Sequence, residues 1–332
     1  MPKLTTPLRT RFELTSNTAI QAIHRAARFL PRFETDLVDM MGFTGQAFRM
    51  QADPIRARAA AATAYDWGAV LSEGLRNAGL HCRYRGGPGC MEPDAEYVTE
   101  AVDLVQTSID RGVPAVVWDL FLPEFGVLYG YDDDRSSLYG KDLYQNGTIR
   151  YERLGGGATG ELFVLVLTGT FPVNRVDALR DMLLAALAHL EERGTGKPPP
   201  PFRAGPAGYL AWIEAFRAGN VDPNGNAYLA HQLHDAREFA TAFMSRLHHH
   251  WGTPASSRDR GIRLLAGEAA DCYADTARAL RKLRVLFPDP YGGEPNQARQ
   301  ARAAIRLIRY AKSREDQAIE RLRGMASLMQ GH

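Results

Sequence analysis

A chain of 332 residues, 45% hydrophobic, 23% charged and with a net charge of +2, can build a sizeable core in two domains or in one large domain with an appendage. The near-balanced charge argues against non-specific nucleic-acid binding, which needs a basic excess, and no run of about 18 apolar residues offers a membrane span. Only three cysteines, Cys82, Cys90 and Cys272, are present, and "MPKLTTPLRTRFEL" lacks a hydrophobic signal core, so a reducing, cytoplasmic setting is expected.

"TAIQAIHRAARFL" has the spacing of an amphipathic helix, with Thr15, Ser16 and Asn17 as capping candidates. "DPIRARAAAATAYDWGAVLSEGLRNAG" reads as a second helix, and "EPDAEYVTEAVDLVQTSIDRG" as a third that stops at Gly112. "GGPGC", Gly86 to Cys90, reads as a flexible loop; it lacks the lysine and helix signature of a phosphate-binding loop. Strands follow at "PAVVWDLF", "FGVLYGYD", "SSLYGKDLY" and "TIRYERLG". The continuous apolar run "ELFVLVLTG" is expected inside its sheet. A strong helix, "VNRVDALRDMLLAALAHLEER", then leads to "GTGKPPPPFRAGPAG", whose four prolines favour a stiff extended linker. Beyond it only helices are legible, broken at "GTPAS" and "PDPYGG". The fold class is therefore α+β: an antiparallel-sheet domain over 1–193, a linker over 194–208 and an all-α bundle over 209–332.

The chemistry-bearing stretch is "LPEFGVLYGYDDD". Alternation places Phe125, Val127, Tyr129 and Tyr131 on one face, and Glu124, Gly126, Leu128 and Gly130 on the other. Glycines inside a strand leave room for something to approach, so Gly126 suggests a floor beside Glu124, with Tyr129 as a further ligand contact. Glu124 suits an acid or base; equally it suits a strand-end charge in an ion pair. Arg49, in "GQAFRM", fits a clamp on a ligand carboxylate, or an ion pair with Glu124 or Asp119.

"TSNTAIQAIHRAARFL", "MGFTGQAFRM", "GVPAVVWDLFLPEFGVLYGYDDD" and "LYGKD" together resemble the papain-like domain of the butirosin-biosynthesis acyltransferase family. More distantly they are similar to bacteriocin-processing cysteine peptidases. The resemblance covers roughly Phe12 to Leu190, and the helical tail loosely. It implies a papain-like fold in a secondary-metabolite or peptide setting. It also implies a nucleophile at the start of the first helix, here Thr15, Ser16 or Asn17, a base where Glu124 stands instead of histidine, and an orienting acid at Asp142. Thr15 or Ser16 acting with Glu124 and Asp142 would be a hydroxyl-based acyltransferase or amide hydrolase. A helix start without cysteine can still bind an anion or carbonyl, with Asn17 contributing.

Metal ligation is not the reading of "DDD", because adjacent strand-end carboxylates point apart. His231, His234, Asp235 and Glu238 share a helical face, with Glu268 as a further contributor, but no second Glu-x-x-His completes a di-metal set. No cofactor motif is legible. Three functions follow from these residues. The first is a catalytically degenerate papain-like protein that binds a small molecule or peptide. The second is the hydroxyl-based enzyme. The third is an interaction protein that forms a homodimer through its helical half. Neither nucleic acid nor membrane is an expected partner.

Overall fold

The structure is a computed structural model describing residues 3–4, 15–91, 93–194 and 196–330. Beyond Lys3–Leu4, the N-terminal stretch read for a signal core lies outside them. Mixed α+β architecture is observed, with an antiparallel sheet and an all-helical C-terminal region.

In chain order the elements are β1 (Lys3–Leu4), α1 (Thr18–Ala27), α2 (Leu37–Phe43), β2 (Gln51–Ala52), α3 (Trp67–Asn77), β3 (Leu80–Met91), α4 (Ala95–Asp110), β4 (Ala115–Trp118), β5 (Phe125–Asp132), β6 (Ser137–Lys141), β7 (Asn146–Arg150) and β8 (Glu161–Thr170). Then come α5 (Arg175–Leu190), β9 (Arg203–Ala204), α6 (Gly205–Ala218), α7 (Pro223–His250), α8 (Ser257–Leu286) and α9 (Ala298–Gln330). They form two compact units that interleave in sequence. One holds Met1–Met40 and Asp66–Val173; the other holds Met41–Tyr65 and Asn174–His332.

The first unit is built on a sheet in the order β3-β8-β4-β5-β6-β7, with β1 pairing β5 and every described pairing antiparallel. β8 lies inside the sheet, as its unbroken apolar run requires. On one face Ala101, Val102, Val105 and Ile109 of α4 pack on Val117, Leu128, Leu138 and Val164. Asp94 starts α4 by accepting the Tyr97 N–H, and Gly112, at φ +80°, ends it. The other face carries an aromatic cluster in which Trp67 meets Trp118, Phe125 and Phe163 with ring centroids 4.8, 5.4 and 5.5 Å away.

Three sequence expectations change here. "GGPGC" forms the distal part of β3, paired to β8 through a register shift between Gly86 and Met91. The stretch 53–79 is not one helix. The Asp53 carboxylate accepts the Ile55 N–H at 3.0 Å and the Arg58 guanidinium at 2.6 Å, Ala57 takes φ +54°, and α3 begins only after its Asp66 cap. The pairing of β5 with β6 shifts between Leu128 and Gly130, so Tyr131 joins Leu128 on the α4 face instead of sharing the face of Phe125.

The second unit is a bundle of α5 to α9 around Trp212, Phe216, Leu280, Leu283 and Phe287. Met50, Ala52 and Ala57 are part of that core. β2 pairs antiparallel with β9, Gln51 opposite Ala204, and the Gly205 N–H donates to Met50 C=O at 2.8 Å. Arg237, fully buried, donates to both oxygens of Glu315, to Ala47 C=O at 2.8 Å and to Arg49 C=O at 3.0 Å. The Pro/Gly-rich stretch therefore does not pass from one unit to the other. Both of its flanks lie in the helical unit, and it contains β9 and the start of α6. No helix among the described residues is long and apolar enough to cross a membrane.

Candidate functional site

Asn17 caps α1: its Oδ1 accepts the Ile20 N–H at 3.0 Å, and the Thr15 hydroxyl accepts the Asn17 N–H at 3.1 Å. With Asn17 as the cap, the first helical residue is Thr18. Its hydroxyl donates to Glu124 Oε2 at 2.6 Å and accepts the Phe125 N–H at 3.2 Å. The start of α1 is thereby joined to the start of β5 through a hydroxyl–carboxylate pair. Thr18 is 5% exposed, while Glu124, Ser16 and Asn17 are half-buried.

The turn that delivers Glu124 is set by Asp119. Its backbone N–H donates to Glu124 C=O at 3.0 Å, closing the β4–β5 connection with Asp119 itself at φ +57°. Asp119 Oδ2 accepts the Thr159 hydroxyl at 2.8 Å and its N–H at 2.5 Å, and Thr159 Oγ1 accepts the Trp118 indole N–H at 2.9 Å. The carboxylate of Asp119 thus fastens the loop before β8 to the aromatic cluster beneath the pair.

The remaining sequence candidates fall elsewhere. Asp142 is fully buried at the end of β6, where Oδ1 accepts the N–H groups of Tyr144 and Gln145 at 3.0 and 2.8 Å. Those bonds shape its own turn, and Oδ2 is buried with no hydrogen-bond partner among the described residues. Gly126 does not floor an open cleft: a Cβ there would lie 2.8 Å from Lys141 C=O and 3.2 Å from Asp142 Cβ, so the chain itself fills the space. The Tyr129 hydroxyl donates to Asn146 Oδ1 at 2.7 Å, across to β7.

Arg49 belongs to the helical unit. It donates to Gln51 Oε1 and Gly196 C=O at 3.2 Å each and stacks 4.0 Å over the Tyr65 ring, and burial pushes its guanidinium down to about 10. Beside it His189 is buried, with Nε2 accepting the Met50 N–H at 3.1 Å and Nδ1 facing Gly196 C=O at 3.3 Å. Burial, reinforced by the Arg49 charge, holds that ring well below the usual imidazole range. His234 is likewise buried. Its Nδ1 takes the Arg284 guanidinium at 2.9 Å, Nε2 stands 3.5 Å from Glu238, and burial and Arg284 lower it to about 4. Among the described residues no cluster of histidine, cysteine and carboxylate side chains is arranged to hold a metal.

The residue that sequence reasoning missed is Thr18. The signal was present in "TSNT": asparagine ranks among the strongest caps, and taking Asn17 as the cap makes Thr18 the first helical residue. No protein-family model matches the chain, and no curated protein matches it.

Proposed function

We propose that this chain is a catalytically silent papain-like protein of the cytoplasm, which binds a small molecule or peptide beside Glu124 and does not turn it over. The observation that carries the reading is the Thr18–Glu124 hydrogen bond. It lies one residue past the helix-start positions Thr15 to Asn17 where the resemblance implies a nucleophile, and it engages Glu124, where the resemblance implies the base, with a hydroxyl that is buried, β-branched and already accepting a backbone N–H. A carboxylate is a far weaker base toward an alcohol than imidazole toward a thiol, and Asp142 spends its hydrogen bonds on its own turn. The half-exposed Asn17 and Glu124 are the residues a ligand would meet. Free Cys82, Cys90 and Cys272 suit a reducing compartment.

One observation favours the hydroxyl-enzyme reading instead: 2.6 Å is the contact a general base makes with its nucleophile. Assays with an activated ester, an acyl thioester and a peptide amide separate the two, using the full chain and its Thr18→Val and Glu124→Gln variants. The proposal expects the same background rate in all three proteins. Turnover that falls at least ~100-fold in T18V and survives in Thr18→Ser would overturn it. Ligand-observed NMR against a fragment and peptide set checks the binding half; hits that persist unchanged in E124Q would place the ligand elsewhere.

A further inference from the structure

The net charge of +2 is spread unevenly along the chain. Residues 278–314, which take in the end of α8 and the first half of α9, hold ten basic and two acidic residues, a local balance of +8. The rest of the chain therefore carries −6. A near-neutral total conceals a strongly basic end of the helical unit.

The two halves of α9 differ in what their cations do. In the second half the bases are paired: Lys312 meets Asp316 at 2.8 Å, Arg314 meets Asp275 at 2.8 Å, Arg321 meets Glu268 at 3.0 Å and Arg323 meets Glu191 at 2.9 Å. In the first half no acid precedes Glu315. Arg299, Arg302, Arg306 and Arg309 are all exposed there, and none forms an ion pair with a described residue. Their spacing of three, four and three keeps them within an arc of about 80° over a length of about 15 Å. Ala304, Ile308 and Ala311 occupy the opposite side of the helix, buried in the bundle core. Tyr310, 51% exposed, stands one turn after Arg306 and beside Arg309 in sequence. The last turns of α8 add exposed Arg281 and Lys282. Like charges three and four residues apart repel, so the row gives the helix no stability of its own.

We infer that this arginine row binds single-stranded nucleic acid along its phosphate backbone, without regard to base sequence. Every cation of the row is an arginine, whose planar fork matches a phosphate. A helix face is convex and extended, which suits a polymer and does not enclose a small anion. The apolar side of α9 is spent on the core, so the helix has nothing to bury in a lipid surface. Tyr310 supplies the aromatic face on which an unpaired base stacks, with a guanidinium on either side. The surface lies in the helical unit, so it goes beyond the function proposed for the Thr18–Glu124 region and stands or falls separately.

The test is fluorescence anisotropy of the full chain with labelled strands of about 15 nucleotides, one of uridine and one of deoxythymidine. At about 50 mM salt at least one strand is expected to bind with a Kd on the order of 10 μM or tighter, and the ratio of the two says which sugar the surface favours. The slope of log K against log salt should be about −3, the value for four phosphate contacts by a single strand. Arg302→Gln with Arg306→Gln should weaken binding at least ~10-fold and bring the slope to about −1.4. Tyr310→Ala should weaken it at least ~5-fold at an unchanged slope. Arg28→Gln with Arg32→Gln, which removes the same charge from exposed positions of the first unit, should leave affinity within ~2-fold. No saturable binding of either strand below about 200 μM protein would overturn the inference. So would affinity unchanged in R302Q/R306Q or in Y310A, or a duplex of the same length bound more tightly than both strands. Binding to phosphatidylcholine vesicles with about 30% phosphatidylserine while both strands stay inert would overturn it in favour of a lipid surface.

Discussion

Removing the Thr18 hydroxyl takes a hydrogen bond from two groups at once, and they differ in what they can do about it. Glu124 is half-exposed and can turn to water, whereas the Phe125 N–H is buried at the start of β5. Thr18→Val is therefore expected to cost about 1–3 kcal/mol, read from the urea midpoint, while Thr18→Ser keeps both bonds and costs about 1 kcal/mol through its lost methyl. The buried Arg237–Glu315 pair predicts a larger effect of a different kind. Arg237→Met leaves Glu315 as an uncompensated buried charge, for a loss of about 3–5 kcal/mol. Adding Glu315→Gln should recover at least about 1 kcal/mol, because the amide still accepts from Tyr209 and no charge remains; a double variant no more stable than R237M would contradict this account. At this scale little was legible in advance. The acid at 124 could be read from local rules, and the cap could be narrowed to Thr15, Ser16 or Asn17, of which the structure uses Asn17. That Glu124 would meet Thr18, or Arg237 would meet Ala47 C=O, depends on partners more than a hundred residues apart, which periodicity does not encode.

The elements were more legible, because period and punctuation are local. Interior β8, α1 with its cap, α4 with its terminal glycine and the long C-terminal helices all follow from apolar spacing and end signals. β3 was missed although Leu80, Cys82 and Tyr84 alternate with His81, Arg83 and Arg85; the glycines after them, absorbed in an edge-strand register shift, read as a loop. The stretch before α3 misled in the opposite direction, since its alanines favour helix while Asp53 locks a turn. One element-level prediction concerns α5, whose His189 holds the Met50 strand end. Its folded pKa lies well below the ordinary 6.5, so its contribution is complete above 6.5 and declines as acid protonates the unfolded chain first. Stability should fall from pH 6.5 toward about pH 5 by up to ~1.4 kcal/mol per pH unit from this ring alone. His189→Gln should remove that share of the slope in pH-dependent denaturation, leaving the parts due to His24, His231 and His234, whose rings are also lowered.

For the whole molecule, the fold class could be read from blocks of strands and helices, but the partition could not, because it is not contiguous in sequence. Met41–Tyr65 supplies Met50, Ala52 and Ala57 to the helical core and the backbone carbonyls that receive Arg237. A fragment of residues 209–332, cut where composition suggests a boundary, is therefore expected to lack a cooperative thermal transition by circular dichroism, whereas the full chain shows one. A sharp transition in that fragment would show that the early segment is dispensable to the bundle. The same interleaving governs assembly on the ribosome. Met41–Tyr65 emerges well before the Glu315 that completes its Arg237 anchor. At ~5–20 residues per second, the roughly 250 intervening residues take on the order of 12–50 s to synthesise. Until α6 and α7 emerge, the apolar side chains of that segment lack their core partners, so this stretch is where a nascent chain would call on a chaperone.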